Sequence, residues 1–207
     1  LGPDARARAG LMLVPEDRED QVVEGLTRAA SAMYPRLIDN PDYTAIINDR
    51  HHQRLTGWLA DARAKGARIE TVNPAGEDFT ATNSRKMPLH IVRDVTDDMI
   101  LMQEEIFGPI LPLRRYGDID GAIAEVNRRD RPLGLYYFGG DAAERRRVLD
   151  RTVSGGVTLD DVIFHTGPED LPFGGIGPSG RGAEPGRAGV GSEERRVGKE
   201  CGVGGRR

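Results

Sequence analysis

Residues 102–113 read Met102-Gln103-Glu104-Glu105-Ile106-Phe107-Gly108-Pro109-Ile110-Leu111-Pro112-Leu113. Two adjacent carboxylates run into an isoleucine and a phenylalanine, and a Gly-Pro step then turns the chain into an apolar run. Glycine reaches backbone angles closed to other residues, and proline fixes the direction of exit, so this is a rigid corner ahead of a strand. Local chemistry leaves two readings open. The carboxylates are either held in place for a ligand or form a solvated loop that precedes the strand.

Working outward, the chain alternates strands and helices. On the N-terminal side, Leu11 to Val14 reads as a strand and Pro15-Glu16-Asp17 opens a helix with Asp17 as its cap. Val22, Leu26, Ala29, Ala30 and Met33 fall at helical spacing on one face, and Tyr34-Pro35 stops the helix. A second helix is expected from about Asp49 to Lys65. Its apolar stripe is Leu55, Trp58, Leu59 and Ala62, and Gly66 ends it. Strands follow at 67–72 and 89–92, separated by a polar loop. Beyond the corner, 110–116 is a strand, and Asp118 caps a helix carrying Ile119, Ala122, Ile123 and Val126. Leu133 to Phe138 is strand-like. Asp141 caps a further helix, with Glu144 placed for a capping box, and Val157 to Leu159 is the last strand. Strands alternating with helices, some apolar on both faces, point to an α/β fold: a largely parallel sheet flanked by helices. Residues 1–10 are irregular, 11–182 carry the pattern, and 183–207 are Gly/Arg/Glu-rich and read as a disordered tail.

Composition narrows the function. The chain has 207 residues, enough for one sizeable core, and a net charge of −4 with both signs dispersed, which argues against a nucleic-acid partner. No apolar run approaches the roughly 20 residues of a membrane span, and the opening Leu1-Gly2-Pro3-Asp4 lacks the features of a signal peptide. A single cysteine, Cys201, excludes an internal disulfide framework and fits a reducing, cytoplasmic setting. His51-His52 and Asp97-Asp98 form no metal set, since adjacent helical side chains diverge by roughly 100°. His90 reads as structural. Phe173 to Gly180 is glycine-rich, but no Gly-Lys-Ser/Thr follows and Pro178 removes a donor, so it reads as a turn-rich loop rather than a phosphate cradle.

The corner motif Glu104-Glu105-Ile106-Phe107-Gly108-Pro109 resembles a signature of the aldehyde dehydrogenase superfamily. Asn40 to His51, Arg131 to Phe138 and Asp170 to Gly180 are similar to segments of its coniferyl-aldehyde branch, in the same order. The resemblance covers roughly residues 11–182, and several independent motifs in register make it specific. It implies the C-terminal catalytic-domain half of that fold, NAD or NADP as cofactor, an aldehyde substrate of aromatic, coniferyl type, and a homo-oligomeric full-length parent. It implies that Glu105 binds the nicotinamide ribose hydroxyls, that Phe107 packs near the nicotinamide, and that Phe173 and His165 approach the substrate pocket. The implied chemistry is attack by a cysteine thiolate, a thiohemiacetal, hydride transfer, and release of the acid by activated water.

The chain also departs from the pattern. The family nucleophile would fall near Arg6, where there is no cysteine, so no catalytic residue is assigned and the chain reads as the C-terminal portion of a longer enzyme, inactive by itself. Cys201 sits beside Gly and Lys residues with no fixed base and is rejected as a nucleophile. Asp160 stands where the branch has Asn, and Ala183-Glu184-Pro185-Gly186 replaces an aromatic-rich closing segment. Two other readings stay open. One is a non-catalytic α/β module for binding or assembly, and the other is the acyl-phosphate reductase group, which runs the same thiol chemistry in reverse.

Overall fold

The computed structural model describes residues 10–82, 84–163, 173–176 and 182–184. They divide into two units, residues 8–122 and a second beginning at Ile123, with the division inside a helix.

The first unit is built on a four-stranded sheet of β1 (Met12–Pro15), β2 (Arg68–Val72), β3 (Leu89–Arg93) and β4 (Ile110–Tyr116), in the order β1-β4-β3-β2. β4 runs parallel to β1 on one side and to β3 on the other, while β2 closes the edge antiparallel to β3. Side chains alternate across a pleated strand, so Ile91 and Val92 serve opposite faces. Ile91 joins Val14, Val23, Val72 and Leu113 under α1 (Glu19–Met33). Val92 joins Leu55, Trp58, Leu59 and Ala62 of α2 (Asp49–Ala64), together with Met99, Leu101, Met102, Ile106 and Ile110. The sheet is thus covered on both faces, as the apolar strands require.

Local chemistry explains most element ends. The Asn48 side chain caps α2 by accepting from the His51 amide at 2.9 Å, and Gly66 ends it at φ 90. All four stripe residues of α2 are buried. α1 differs from expectation in two ways. Asp17 is no cap: Glu16–Arg18 form a 3-10 turn, and α1 begins at Glu19 behind Arg18 without a side-chain cap. Its inner face is Val22, Val23, Leu26 and Ala30, while Ala29 is exposed and Met33 is 67% exposed. Ala29 and Met33 continue the helical spacing of Val22, Leu26 and Ala30, so their exposure belongs to the C-terminal end of α1, which closes at Met33.

α3 (Ile119–Arg128) is started by Asp118, whose carboxylate accepts from the Gly121 amide at 2.7 Å. In the second unit, β5 (Gly134–Tyr137) pairs parallel to β6 (Gly156–Leu159) across α4 (Ala142–Arg151). Asp141 caps α4 with two bonds, from the Ala143 and Glu144 amides. Part of the glycine-rich stretch is a strand rather than a loop: β7 (Phe173–Gly175) pairs antiparallel to β8 (Gly182–Glu184). β8 takes in Ala183 and Glu184, the first residues of the stretch read as a tail. Among the described residues, no helix is long and apolar enough to cross a membrane.

Candidate functional site

The corner is bolted down residue by residue. A 3-10 turn at Ile100–Met102 sinks Leu101 and Met102 into the core, and the Ile100 amide donates to Asp61 of α2 at 2.9 Å. Three residues on, the chain splits its side chains: Ile106 is buried, whereas Glu105 is exposed and Phe107 is 79% exposed. Burying one aromatic ring stabilises by about 2 kcal/mol, so leaving Phe107 in solvent forgoes a gain that the core usually takes.

Phe107 also holds φ 45, the left-handed region. That conformation costs a non-glycine residue about 1–2 kcal/mol. The sequence points to Gly108 for unusual backbone angles, but it is Phe107 that adopts one. Gly108 is not among the left-handed residues. It is required by contact, because a Cβ there would stand 2.4 Å from Leu55 Cδ1. The Ile110 amide closes back on the Gly108 carbonyl at 2.8 Å, and the His90 amide of β3 donates to the Pro109 carbonyl at 2.8 Å.

Arg54 completes the clamp, and sequence reasoning missed it. Its Nη1 donates to the Glu105 carbonyl at 3.0 Å and its Nη2 to the Ile106 carbonyl at 2.7 Å. Its guanidinium carbon lies 4.2 Å from the centroid of the Trp58 ring, one helical turn further along α2. A planar guanidinium suits two neighbouring acceptors and a ring face together. The one local signal was Arg54 standing four residues before Trp58 on a predicted helix. Nothing local says that this helix passes the corner.

The structure therefore brings Glu105 and Phe107 together on one exposed, backbone-fixed turn. A carboxylate there is a strong acceptor for hydroxyl donors, and an exposed ring offers a flat apolar surface. His165 and Cys201 lie outside the described residues, and of Phe173 only the backbone is described, in β7 opposite Glu184. His90 is held among strand neighbours, with Nδ1 3.0 Å from the Thr71 hydroxyl. Burial, with the charge of Arg63 adding to it, pushes its imidazole down to about 4. Asp160, at φ 55, accepts from the Gly139 amide at 3.1 Å and donates its own amide to the Tyr137 carbonyl at 2.8 Å, so its carboxylate ties the end of β6 to the turn after β5. Among the described residues, no group of three His, Cys, Asp or Glu is placed to hold a metal ion.

A cavity of about 280 Å³ opens elsewhere in the first unit, lined by Glu16, Asp94, Val95, Leu113, Arg114, Arg115, Tyr116 and Gly117. Both of its arginines are paired: Arg115 to Asp94 at 3.2 Å and Arg114 to Asp97, outside the lining, at 2.8 Å. Neither Glu105 nor Phe107 lines it.

Comparison with known proteins adds an independent line. The profile of the aldehyde dehydrogenase family matches residues 8–192. The chain is 54% identical over 172 residues to a probable coniferyl aldehyde dehydrogenase of Caulobacter vibrioides, covering 83% of this chain and 36% of that protein. It is 50% identical to a coniferyl aldehyde dehydrogenase of Pseudomonas sp. strain HR199, with the same 83% and 36% coverage. Among solved structures, the substrate-bound state of Staphylococcus aureus AldH superposes with a TM-score of 0.76 at 35% identity, over 87% of this chain and 38% of that one. An AldC mutant of Pseudomonas syringae, complexed with NAD+ and octanal, gives 0.72 at 27% identity, over 86% of this chain and 36% of that one. The chain spans about 36% of the length of the curated relatives it matches.

Proposed function

The chain belongs to the aldehyde dehydrogenase family, and from that premise we propose that it forms part of an NAD(P)-dependent enzyme that oxidises an aldehyde to its acid. The observation that carries the reading is the fixed corner. Glu105 and Phe107 are both exposed on a turn whose backbone is held from α2 and β3. The residues present fit a dinucleotide. Glu105 offers acceptor oxygens to two ribose hydroxyls, and Phe107 offers a ring face to the nicotinamide. When bound, NAD(P)+ supplies the hydride acceptor. What this chain contributes is orientation: the corner fixes the backbone from which the carboxylate and the ring project before the ligand arrives, so binding orders side-chain bonds but not the main chain.

The substrate is an aromatic aldehyde of coniferyl type. Support comes from the 54% and 50% identical relatives that carry that name. Phe173 and His165 belong to its pocket. The family chemistry calls for a cysteine thiol that attacks the carbonyl and forms a thiohemiacetal. The chain's single cysteine, Cys201, falls outside the matched span 8–192. This polypeptide by itself therefore binds the dinucleotide without turning over aldehyde. In the whole enzyme, a homo-oligomer of the cytoplasm by this reading, the thiol comes from chain that is not among these residues.

That same absence of a cysteine from the matched span favours a second reading, a non-catalytic module that keeps the binding corner and serves assembly. One experiment addresses both. The purified 207-residue chain is titrated with NAD+ and NADP+ and assayed for NAD(P)H formation with coniferyl aldehyde. Nucleotide binding with no NAD(P)H formed is the expected result. Thiol-sensitive turnover would overturn the assignment of inactivity, and no binding at millimolar nucleotide would overturn the role of the corner.

A further inference from the structure

We infer that Arg54 is the positioning residue of the corner: from α2 it sets the direction in which Glu105 and Phe107 leave the backbone. The inference rests on the cofactor reading above for its purpose, but not for its geometry. Glu105 and Phe107 share no side-chain bond that would orient them. What they share is the peptide carbonyls of Glu105 and Ile106, which lie between their two Cα atoms. Arg54 takes both carbonyls, at 3.0 and 2.7 Å, with the two Nη atoms of one guanidinium. A planar fork that engages two successive carbonyls fixes the rotation of both peptide planes.

The guanidinium is itself fixed. It lies over the Trp58 ring at 4.2 Å, and Trp58 is 8% exposed and packed in the core. Its Nε is buried with no partner, so the side chain is aimed for its Nη contacts at the expense of a third donor. Next to it in sequence, Leu55 fills the space a Cβ on Gly108 would need. Residues 54 and 55 thus grip the turn from both sides of Phe107. The left-handed φ of 45 at Phe107 is what such a grip has to hold, since a free turn relaxes to ordinary angles. Loss of Arg54 frees the two peptide planes while Ile106 stays anchored in the core.

The test uses the whole chain and its single tryptophan, which lies under Arg54 and reports on it. R54A, R54Q and R54K are compared with the unaltered protein by amide relaxation, Trp58 emission and NAD+ titration. In the unaltered chain the amides of residues 105–108 show order parameters of about 0.85. In R54A they fall below about 0.6 while β3 and β4 stay rigid, Trp58 emission shifts, and NAD+ affinity drops roughly tenfold. R54K recovers the cation over Trp58 and one carbonyl contact, and restores part of the order. R54Q recovers neither cation nor fork and behaves as R54A. Where R54A does not fold, the R54Q and R54K pair carries the same comparison. Unchanged order at 105–108 in R54A or R54Q overturns the inference. Loosening of the corner with no nucleotide response even in the unaltered chain sinks the cofactor reading and leaves the hold of Arg54 on the turn standing.

Discussion

Arg93 of β3 and Glu19 of α1 meet at 2.6 Å with both side chains buried, 8% and 6% exposed. The same guanidinium also takes Glu70 at 2.8 Å and the outward-facing Asp20. Donating to these carboxylates, Glu19 first, holds the Arg93 guanidinium more firmly charged than usual. The network ties α1 to the β3–β2 edge of the sheet. Glu19 Oε1 and Arg93 Nε remain unpartnered, so desolvation is not fully offset. R93M takes away the short partner of the buried Glu19 and leaves it only the longer contacts to Arg68 at 3.8 Å and Arg115 at 3.9 Å, and is expected to cost about 3 kcal/mol. Adding E19L removes the stranded charge and recovers most of that loss. Urea denaturation of the two single variants and the double variant gives the coupling directly, and additive losses would contradict the pairing.

Gly155 is a point of close backbone approach in the second unit. A Cβ there would stand 2.2 Å from the Gly174 carbonyl and 2.5 Å from the Leu133 carbonyl. Both obstacles are backbone, so no rotamer change relieves them. The Gly155 amide is also spent, donating to the Pro132 carbonyl at 2.9 Å. G155A is expected to destabilise by about 3 kcal/mol or more, and to loosen β7 before β5 and β6. Hydrogen exchange of residues 173–176 against 134–137 distinguishes the two. Uniform loss of protection would count against a clash centred on Gly174.

How much of this was legible beforehand differs from element to element. The stripe of α2 read correctly because a fully apolar helix face leaves a clean period, and Leu55, Trp58, Leu59 and Ala62 are all buried. Asp118 and Asp141 read as caps because a carboxylate one residue before a helix has an evident amide to accept from. The direction of β2 was not legible, since an edge strand carries the same alternation whichever way it runs. Nor was the source of strain at the corner: glycine advertises conformational freedom, but Gly108 is there for its missing Cβ and Phe107 takes the left-handed angle. Arg54 lies 51 and 52 residues from the carbonyls it holds, a contact set by packing that no local pattern encodes.

His90 gives the fold a pH dependence of known sign. Burial and Arg63 lower its folded value to about 4, against 6.5 for a free imidazole. Between those values the unfolded chain binds more protons than the folded one, so stability rises with pH across that window. The contribution is full above about 6.5 and is lost as pH falls toward 4. H90Q removes it. Comparing unfolding free energies at pH 7.5 and 5.0, the unaltered chain should lose about 1 kcal/mol more than H90Q, a figure discounted for partial solvent access. Equal losses would place the proton uptake elsewhere.

Glu105 is where a binding role and a structural role separate most cleanly. Its carboxylate is exposed, and what the fold uses is its carbonyl, held by Arg54 at 3.0 Å. A change confined to the side-chain tip should therefore leave the corner intact. E105Q keeps the size and the carbonyl, and exposed substitutions of this kind alter stability by no more than about 0.5 kcal/mol. The amide retains one acceptor oxygen where the carboxylate has two, and it loses the charge that strengthens bonds from hydroxyl donors. Two ribose hydroxyls should then be held less well, with a loss of about 1.5–3 kcal/mol, or roughly ten- to a hundredfold in NAD(P)+ affinity. A dinucleotide lacking both nicotinamide-ribose hydroxyls should bind the unaltered chain and E105Q alike, because the contact being tested is gone from both. Calorimetric titration of the two proteins with the two ligands closes the cycle. A weakening by E105Q that persists with the deoxy ligand would show that the carboxylate acts on some other part of the molecule, and the ribose assignment would fall.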